Sequence, residues 1–186
     1  MPKYAAFLRA INVGGHTVTM ERLRALFASM GFEDVETFIA SGNVVFDAAG
    51  RATPASLEAK IAKALAAALG YEVATFVRAT HDLPAIAAYK PFPAAAMAAP
   101  GASLYVGFLA APLGATAKKQ LLSMRTDADD LHHHGREIYW LGRRGFANAE
   151  FAPGKMEKAL EIRATFRNVT TVTKMAAKYA GPPRTK

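Results

Sequence analysis

The run Arg163-Ala-Thr-Phe-Arg-Asn-Val-Thr-Thr-Val-Thr-Lys174 holds the residues of this chain best suited to chemistry. Counting from Arg167, the polar side chains Thr171, Lys174 and Lys178 follow at steps of four, three and four. Val169, Val172, Ala176 and Tyr179 repeat opposite them, which predicts a helix with an apolar side and a cationic side. Asn168 is a good N-cap, and Thr170 and Thr171 fall in the first turn. Arg167 beside a helix N-terminus suits a phosphate or carboxylate: its fork matches paired oxygens, and hydroxyl and N–H groups add donors. The competing explanation is that Arg167 and Lys174 pair with acids of the other lobe and fasten the last helix down.

A second candidate is Asn12-Val-Gly-Gly-His16, between a strand-like segment and a helix. Gly14 and Gly15 let the backbone approach a ligand closely, and the following helix N-terminus favours an anion. The loop lacks the Lys-Ser/Thr of a phosphate-binding P-loop and the third glycine of a dinucleotide fingerprint. A turn that needs positive φ angles is the simpler explanation. Arg9 lies in an otherwise apolar segment, where an unpaired charge is costly to bury. It must face solvent, pair with a carboxylate or point into a site near Gly14 and Gly15. Ser41-Gly42-Asn43 reads as hairpin chemistry, and a binding role would need Ser41 or Asn43 to project toward the ligand.

His132-His133-His134 invites a metal reading, but alternate residues of a strand face opposite ways, so only His132 and His134 could share an ion. An exposed hairpin is the default there, with Asp127, Asp129 and Asp130 as turn and solvation residues. No cysteine is present, which removes thiolate metal sites, disulfides and cysteine nucleophiles. No Ser/His/Asp constellation, nucleophile elbow or carboxylate pair with divergent environments is evident. Neither an enzymatic reaction nor a cofactor is indicated.

The elements that must position these residues are legible as alternating patterns. Lys3–Ile11 reads as a strand buried on both faces. Thr19 caps a helix carrying Met20, Leu23, Leu26, Phe27 and Met30, and Gly31 stops it. Val35–Ala40 and Val44–Asp47 are strands around a tight hairpin at 41–43. Thr53-Pro54 opens a helix with Leu57, Ile61, Leu65 and Leu69, ended by Gly70. Glu72–Arg78 completes a β-α-β-β-α-β order, which predicts an α+β fold with a ferredoxin-like lobe over residues 1–79. A short helix to Tyr89 and a Pro/Ala-rich linker fill 80–102. Residues 103–186 repeat the β-α-β-β-α part of that order, with a strand Ser103–Ala110, a helix Ala115–Met124, a hairpin Asp129–His134/Glu137–Leu141 and a helix Lys155–Leu160, followed by Ala164–Arg167 and the final helix from about Asn168. The second lobe rests on element order alone, without a residue-level repeat.

The net charge is +8 and unevenly placed. Residues 1–142 hold 13 Lys/Arg against 12 Asp/Glu, whereas 143–186 hold 10 against 3. Such a field attracts phosphates, nucleic acid or an acidic partner, and a solvated basic surface explains it equally well. No apolar run has membrane-spanning length, and the N-terminus enters a strand directly, so no signal peptide is expected and a cytoplasmic protein is the simplest reading.

Leu8-Arg-Ala-Ile-Asn-Val-Gly-Gly-His16, Ser41-Gly-Asn-Val-Val-Phe46 and Thr165-Phe-Arg-Asn-Val-Thr-Thr-Val-Thr-Lys174 together resemble the signature blocks of DUF1697, a bacterial family of unknown function. The resemblance spans nearly the whole chain and implies an α+β fold with ferredoxin-like lobes. It implies no activity. Ala10 stands where the family commonly has glycine, and Val169-Thr170 where it often has Trp-Asn.

Three functional expectations follow. The first is a small phosphate-bearing ligand in a cleft between lobes, lined by Arg9, Asn12, Gly14, Gly15, Ser41, Asn43, Arg167, Asn168, Thr171 and Lys174. The second is nucleic-acid binding through the basic C-terminal region, although Val44–Asp47 lacks the aromatic and basic pattern of RNA-recognition strands. The third is a non-enzymatic interaction protein, for which a homodimer would be suitable. No membrane partner is expected.

Overall fold

The computed structural model describes residues 1–12, 15–39, 42–50, 52–144 and 149–181. They form an α+β protein with two four-stranded antiparallel sheets, and the chain divides into two compact units. Unit 1 comprises residues 1–83 and 175–186, and unit 2 comprises residues 84–174.

Unit 1 runs β1 (Lys3–Leu8), α1 (Met20–Ser29), β2 (Glu33–Thr37), β3 (Asn43–Asp47), α2 (Pro54–Leu69) and β4 (Thr75–Ala79), with sheet order β2-β3-β1-β4. Thr19 caps α1 by accepting the Arg22 N–H, and Gly31 follows with a φ of 83°. Thr53 and Ser56 form a reciprocal capping box at α2, and Gly70 ends that helix in the left-handed region. Leu23 and Phe27 of α1 and Leu57, Ile61 and Leu65 of α2 pack with Tyr4, Ala6, Leu8, Val44, Phe46 and Val77 into one core.

Unit 2 runs α3 (Leu83–Ala88, its first residue counted with unit 1), α4 (Ala94–Met97), β5 (Ser103–Phe108), α5 (Ala115–Ser123), β6 (Asp129–His134), β7 (Glu137–Gly142), α6 (Pro153–Leu160) and β8 (Thr165–Asn168). Its sheet order is β6-β7-β5-β8. The last helix, α7 (Val169–Tyr179), begins in unit 2, and its residues from Met175 onward belong to unit 1. Trp140, Phe151 and Phe166 pack with Leu121, Leu131, Ile138 and Met156 in the second core.

The two sheets share a register as well as an order. Tyr4, Ala5 and Phe7 face Phe46, Val45 and Asn43 across β1–β3; Tyr105, Val106 and Phe108 face Trp140, Tyr139 and Glu137 across β5–β7. Ala5 faces Arg78 in β4 as Val106 faces Arg167 in β8. The strand-end bond from the Leu8 N–H to the Gly42 carbonyl recurs from Leu109 to Arg136. In that alignment Tyr4-Ala-Ala-Phe-Leu8 superposes in sequence on Tyr105-Val-Gly-Phe-Leu109, with three identical residues of five. The match covers these five strand positions alone. It is too short to stand out unless the strands are first aligned by their pairing.

Several boundaries differ from the sequence expectation. β1 ends at Leu8, because the chain turns at Ala10, which has a φ of 56°. Arg9 is therefore half-buried in a bend and not inside a strand, and its N–H donates to the Ala74 carbonyl. β2 begins at Glu33 and stops at Thr37, with a register shift between Glu33 and Glu36, so the β2–β3 link is longer than a tight hairpin at 41–43. The expected linker contains the short helix α4.

Candidate functional site

Arg167 is on β8 and only 9% exposed, so it precedes the helix and does not share its face as the spacing suggested. Its Nη1 donates to Thr165 Oγ1 and to the Phe166 carbonyl, both at 2.8 Å. Burial pushes its pKa down to about 10. Asn168 ends β8 and accepts the Thr170 N–H at 2.8 Å, which starts α7 where the sequence placed the cap. Val172, Met175, Ala176 and Tyr179 are buried, while Lys174 and Lys178 are exposed and Thr171 is half-buried. Asn168, Thr171 and Lys174 thus recur every three residues over the first two turns.

Lys178 has a partner within unit 1. Its Nζ lies 2.7 Å from Glu36 Oε2 on β2, and the Tyr179 hydroxyl donates to the same oxygen at 2.9 Å. The Lys178 bond, then the Tyr179 bond, hold the Glu36 carboxyl below its usual range. The Glu36 bond raises the Lys178 pKa.

The loop residues of unit 1 do structural work. Asn12 Oδ1 accepts the Val18 N–H at 2.6 Å, closing the β1–α1 loop. Gly15 is exposed with a φ of 85°. Asn43 is fully buried, and its Nδ2 donates to the Phe38 carbonyl at 3.0 Å, pinning the β2–β3 link. Gly42 has a φ of 73°, and a Cβ there would sit 2.8 Å from Ile11 Cγ2, so any side chain at this position is strained. Gly14 and Ser41 lie outside the described residues.

The histidine run splits as alternation demands. His132 Nε2 is 3.0 Å from the Tyr89 hydroxyl, and His134 stacks on the same tyrosine at 4.2 Å. His133 turns the other way and accepts the Leu113 N–H at 3.1 Å. The expected exposed hairpin is instead packed on one face by Tyr89. Among the described residues no group of three or more His, Cys, Asp or Glu is placed to hold a metal ion, and no helix is long and apolar enough to cross a membrane.

Asp129 is not the turn and solvation residue that its sequence context suggests. It is fully buried, with Oδ1 accepting the Trp140 indole N–H at 2.6 Å and Oδ2 accepting the Glu150 and Phe151 N–H groups. The Asp-Asp pair in a polar run resembles a loop, and nothing local shows that the second sheet's tryptophan will cover it.

A protein of two four-stranded antiparallel sheets with paired helices is the class this fold defines. The chain belongs to the family described as "Protein of unknown function (DUF1697)", whose model matches residues 1–139. A conserved bacterial protein from Streptococcus pneumoniae has a similar structure, with a TM-score of 0.69 and 23% identity over 96% of this chain and 98% of that one. That likeness concerns the fold alone. No curated protein matches the chain.

Proposed function

We propose that the protein binds a small phosphate-bearing anion at the β8–α7 junction, through Arg167, Asn168, Thr171 and Lys174. The observation that carries this reading is the junction itself: a buried guanidinium two residues before α7, then Asn168 at the end of β8, and Thr171 and the exposed Lys174 in the first two turns, at three-residue spacing. Helix N-terminal N–H groups and a lysine one turn on favour negative charge. The excess of basic residues after residue 142 supplies a field of the same sign. The β-α-β-β-α-β order, with the fourth strand beside the first, supports reading each unit as a ferredoxin-like lobe.

A thermal-shift screen of nucleotides, sugar phosphates and cofactor phosphates tests the reading, since a ligand of the folded state raises the melting temperature by mass action. One chemical class should stabilise the wild type and stabilise Lys174→Ala less. An equal rise with every polyanion, abolished by salt, would count against a built site and for nonspecific electrostatics.

A further inference from the structure

Aligning the units by their strands and helix ends isolates one place where they differ in bulk. In unit 1, Gly70 ends α2 in the left-handed region and Tyr71 follows. Tyr71 packs against the first core, its hydroxyl donates to the Ile11 carbonyl at 3.0 Å, and its ring stacks on His16 with centroids 3.9 Å apart. In unit 2, Glu161 ends α6 in the same left-handed turn and Ile162 follows, packed against the second core. An aliphatic side chain thus stands where unit 1 has a phenol.

The neighbouring loop is smaller too. Leu8 corresponds to Leu109 and the helix cap Thr19 to Gly114, so the β5–α5 loop is six residues shorter than the β1–α1 loop. Counted from the leucines, Pro112 takes the place of Ile11. Counted back from the caps, Leu113 takes that of Val18, and each N–H donates to a side chain, Val18 to Asn12 and Leu113 to His133. Residues 12–17 have no counterpart, His16 among them. Unit 2 therefore lacks both rings of the Tyr71–His16 stack. A cavity of about 330 Å³ lies at this place, and its lining includes Leu109, Pro112, Leu113, Gly114, Ala117 and Ile162. The volume is at the small end of ligand pockets, and the side chains of this lining are apolar. Pro112 holds the position whose carbonyl accepts the Tyr71 hydroxyl in unit 1, and among the described residues nothing donates to the Pro112 carbonyl.

We propose that this cavity binds a small neutral phenol, which supplies from outside the ring and hydroxyl that Tyr71 supplies in unit 1. The ring lies against Leu109, Leu113 and Ile162, where its apolar area leaves water, and the hydroxyl donates to the Pro112 carbonyl. The site shares no residue with the β8–α7 junction and stands or falls independently of it. p-Cresol, the tyrosine side chain as a free molecule, is the probe. Nitrogen–proton NMR of the full chain titrated with p-cresol should show saturable shifts centred on the amides of Leu109, Leu113, Gly114, Ala117 and Ile162. Anisole, an isomer with no O–H to donate, should bind about tenfold more weakly. Ile162→Tyr, which restores the residue of unit 1, should fill the cavity and abolish p-cresol binding, and Ala117→Leu, which fills it from α5, should do the same. No saturable shifts in the wild type, saturable shifts centred elsewhere, or equal affinity for anisole would overturn the proposal, whether or not either variant folds. Undiminished p-cresol affinity in a folded variant would overturn it as well.

Discussion

Glu36 and His132 hold the same position in the two sheets, and each meets a tyrosine hydroxyl: Tyr179 at 2.9 Å from Glu36 and Tyr89 at 3.0 Å from His132. The equivalence follows from register, since Glu36 faces Val45 as His132 faces Tyr139, and Val45 and Tyr139 face matching residues of the central strands. Each tyrosine lies at or just beyond the end of the helix that follows a sheet's last strand, Tyr89 after α3 and Tyr179 closing α7. The pairing geometry is the same in the two sheets, with a carboxylate as the tyrosine's partner in one and an imidazole in the other.

The repeat also explains a glycine. Gly107 corresponds to Ala6, and a Cβ at Gly107 would lie 2.5 Å from the Phe166 ring, whereas Ala6 faces the smaller Val77. Gly107→Ala should destabilise the protein by about 1–3 kcal/mol through overpacking. Phe166→Val in the same chain should relieve much of that strain, a coupling measurable by urea denaturation in a double-mutant cycle.

Asp129 offers the largest single effect. Asp129→Ala leaves the Trp140 indole and two backbone N–H groups buried without their acceptor, and should cost about 3–5 kcal/mol. Asp129→Asn keeps one acceptor oxygen and should cost less. Trp140 fluorescence during denaturation reports both, and a change under 1 kcal/mol for the alanine variant would refute the assignment.

Glu161 adopts a φ of 52° where the equivalent residue of unit 1 is Gly70. Left-handed backbone is costly for a side chain bearing Cβ. Glu161→Gly should therefore stabilise the chain by up to about 1 kcal/mol, and Gly70→Ala should destabilise it by a similar amount. Melting temperatures check both signs.

Acid should loosen unit 2 before the carboxylates titrate. Burial first, then Lys118, holds the His133 pKa below its usual value, and burial followed by His134 and Arg125 does the same for His132 against an opposing pull from Asp130. The folded protein therefore binds fewer protons than the unfolded chain in this range, and stability rises with pH. The contribution is complete above about pH 6.5 and is lost as pH falls through the depressed folded values. His133→Gln, whose amide oxygen can still accept the Leu113 N–H without titrating, should reduce the fall in melting temperature between pH 7 and 5. An unchanged slope would show that His133 is not a source of it.

Local signals carried most of the fold. Thr19, Thr53, Asn168, Gly31 and Gly70 act at helix ends where side-chain chemistry decides the boundary, and the stripes of α1, α2 and α7 follow from periodicity. What was illegible depends on distant partners. Arg9 looked like a charge inside a strand because nothing local announces the turn at Ala10. The four-residue spacing from Arg167 to Thr171 groups Arg167 with the helix face although it precedes the helix, and nothing local shows that it is buried on β8. Asn12 and Asn43, read as ligand contacts, hold their own loops, a role that depends on where Val18 and Phe38 come to lie.

The β8–α7 anion site is most directly tested by two-dimensional nitrogen–proton NMR of the full chain titrated with inorganic pyrophosphate at constant ionic strength. Saturable shifts confined to the amides from Arg167 to Lys174, and lost in Lys174→Ala, are the predicted result. Shifts spread over basic residues throughout the chain, or none that saturate, would contradict it.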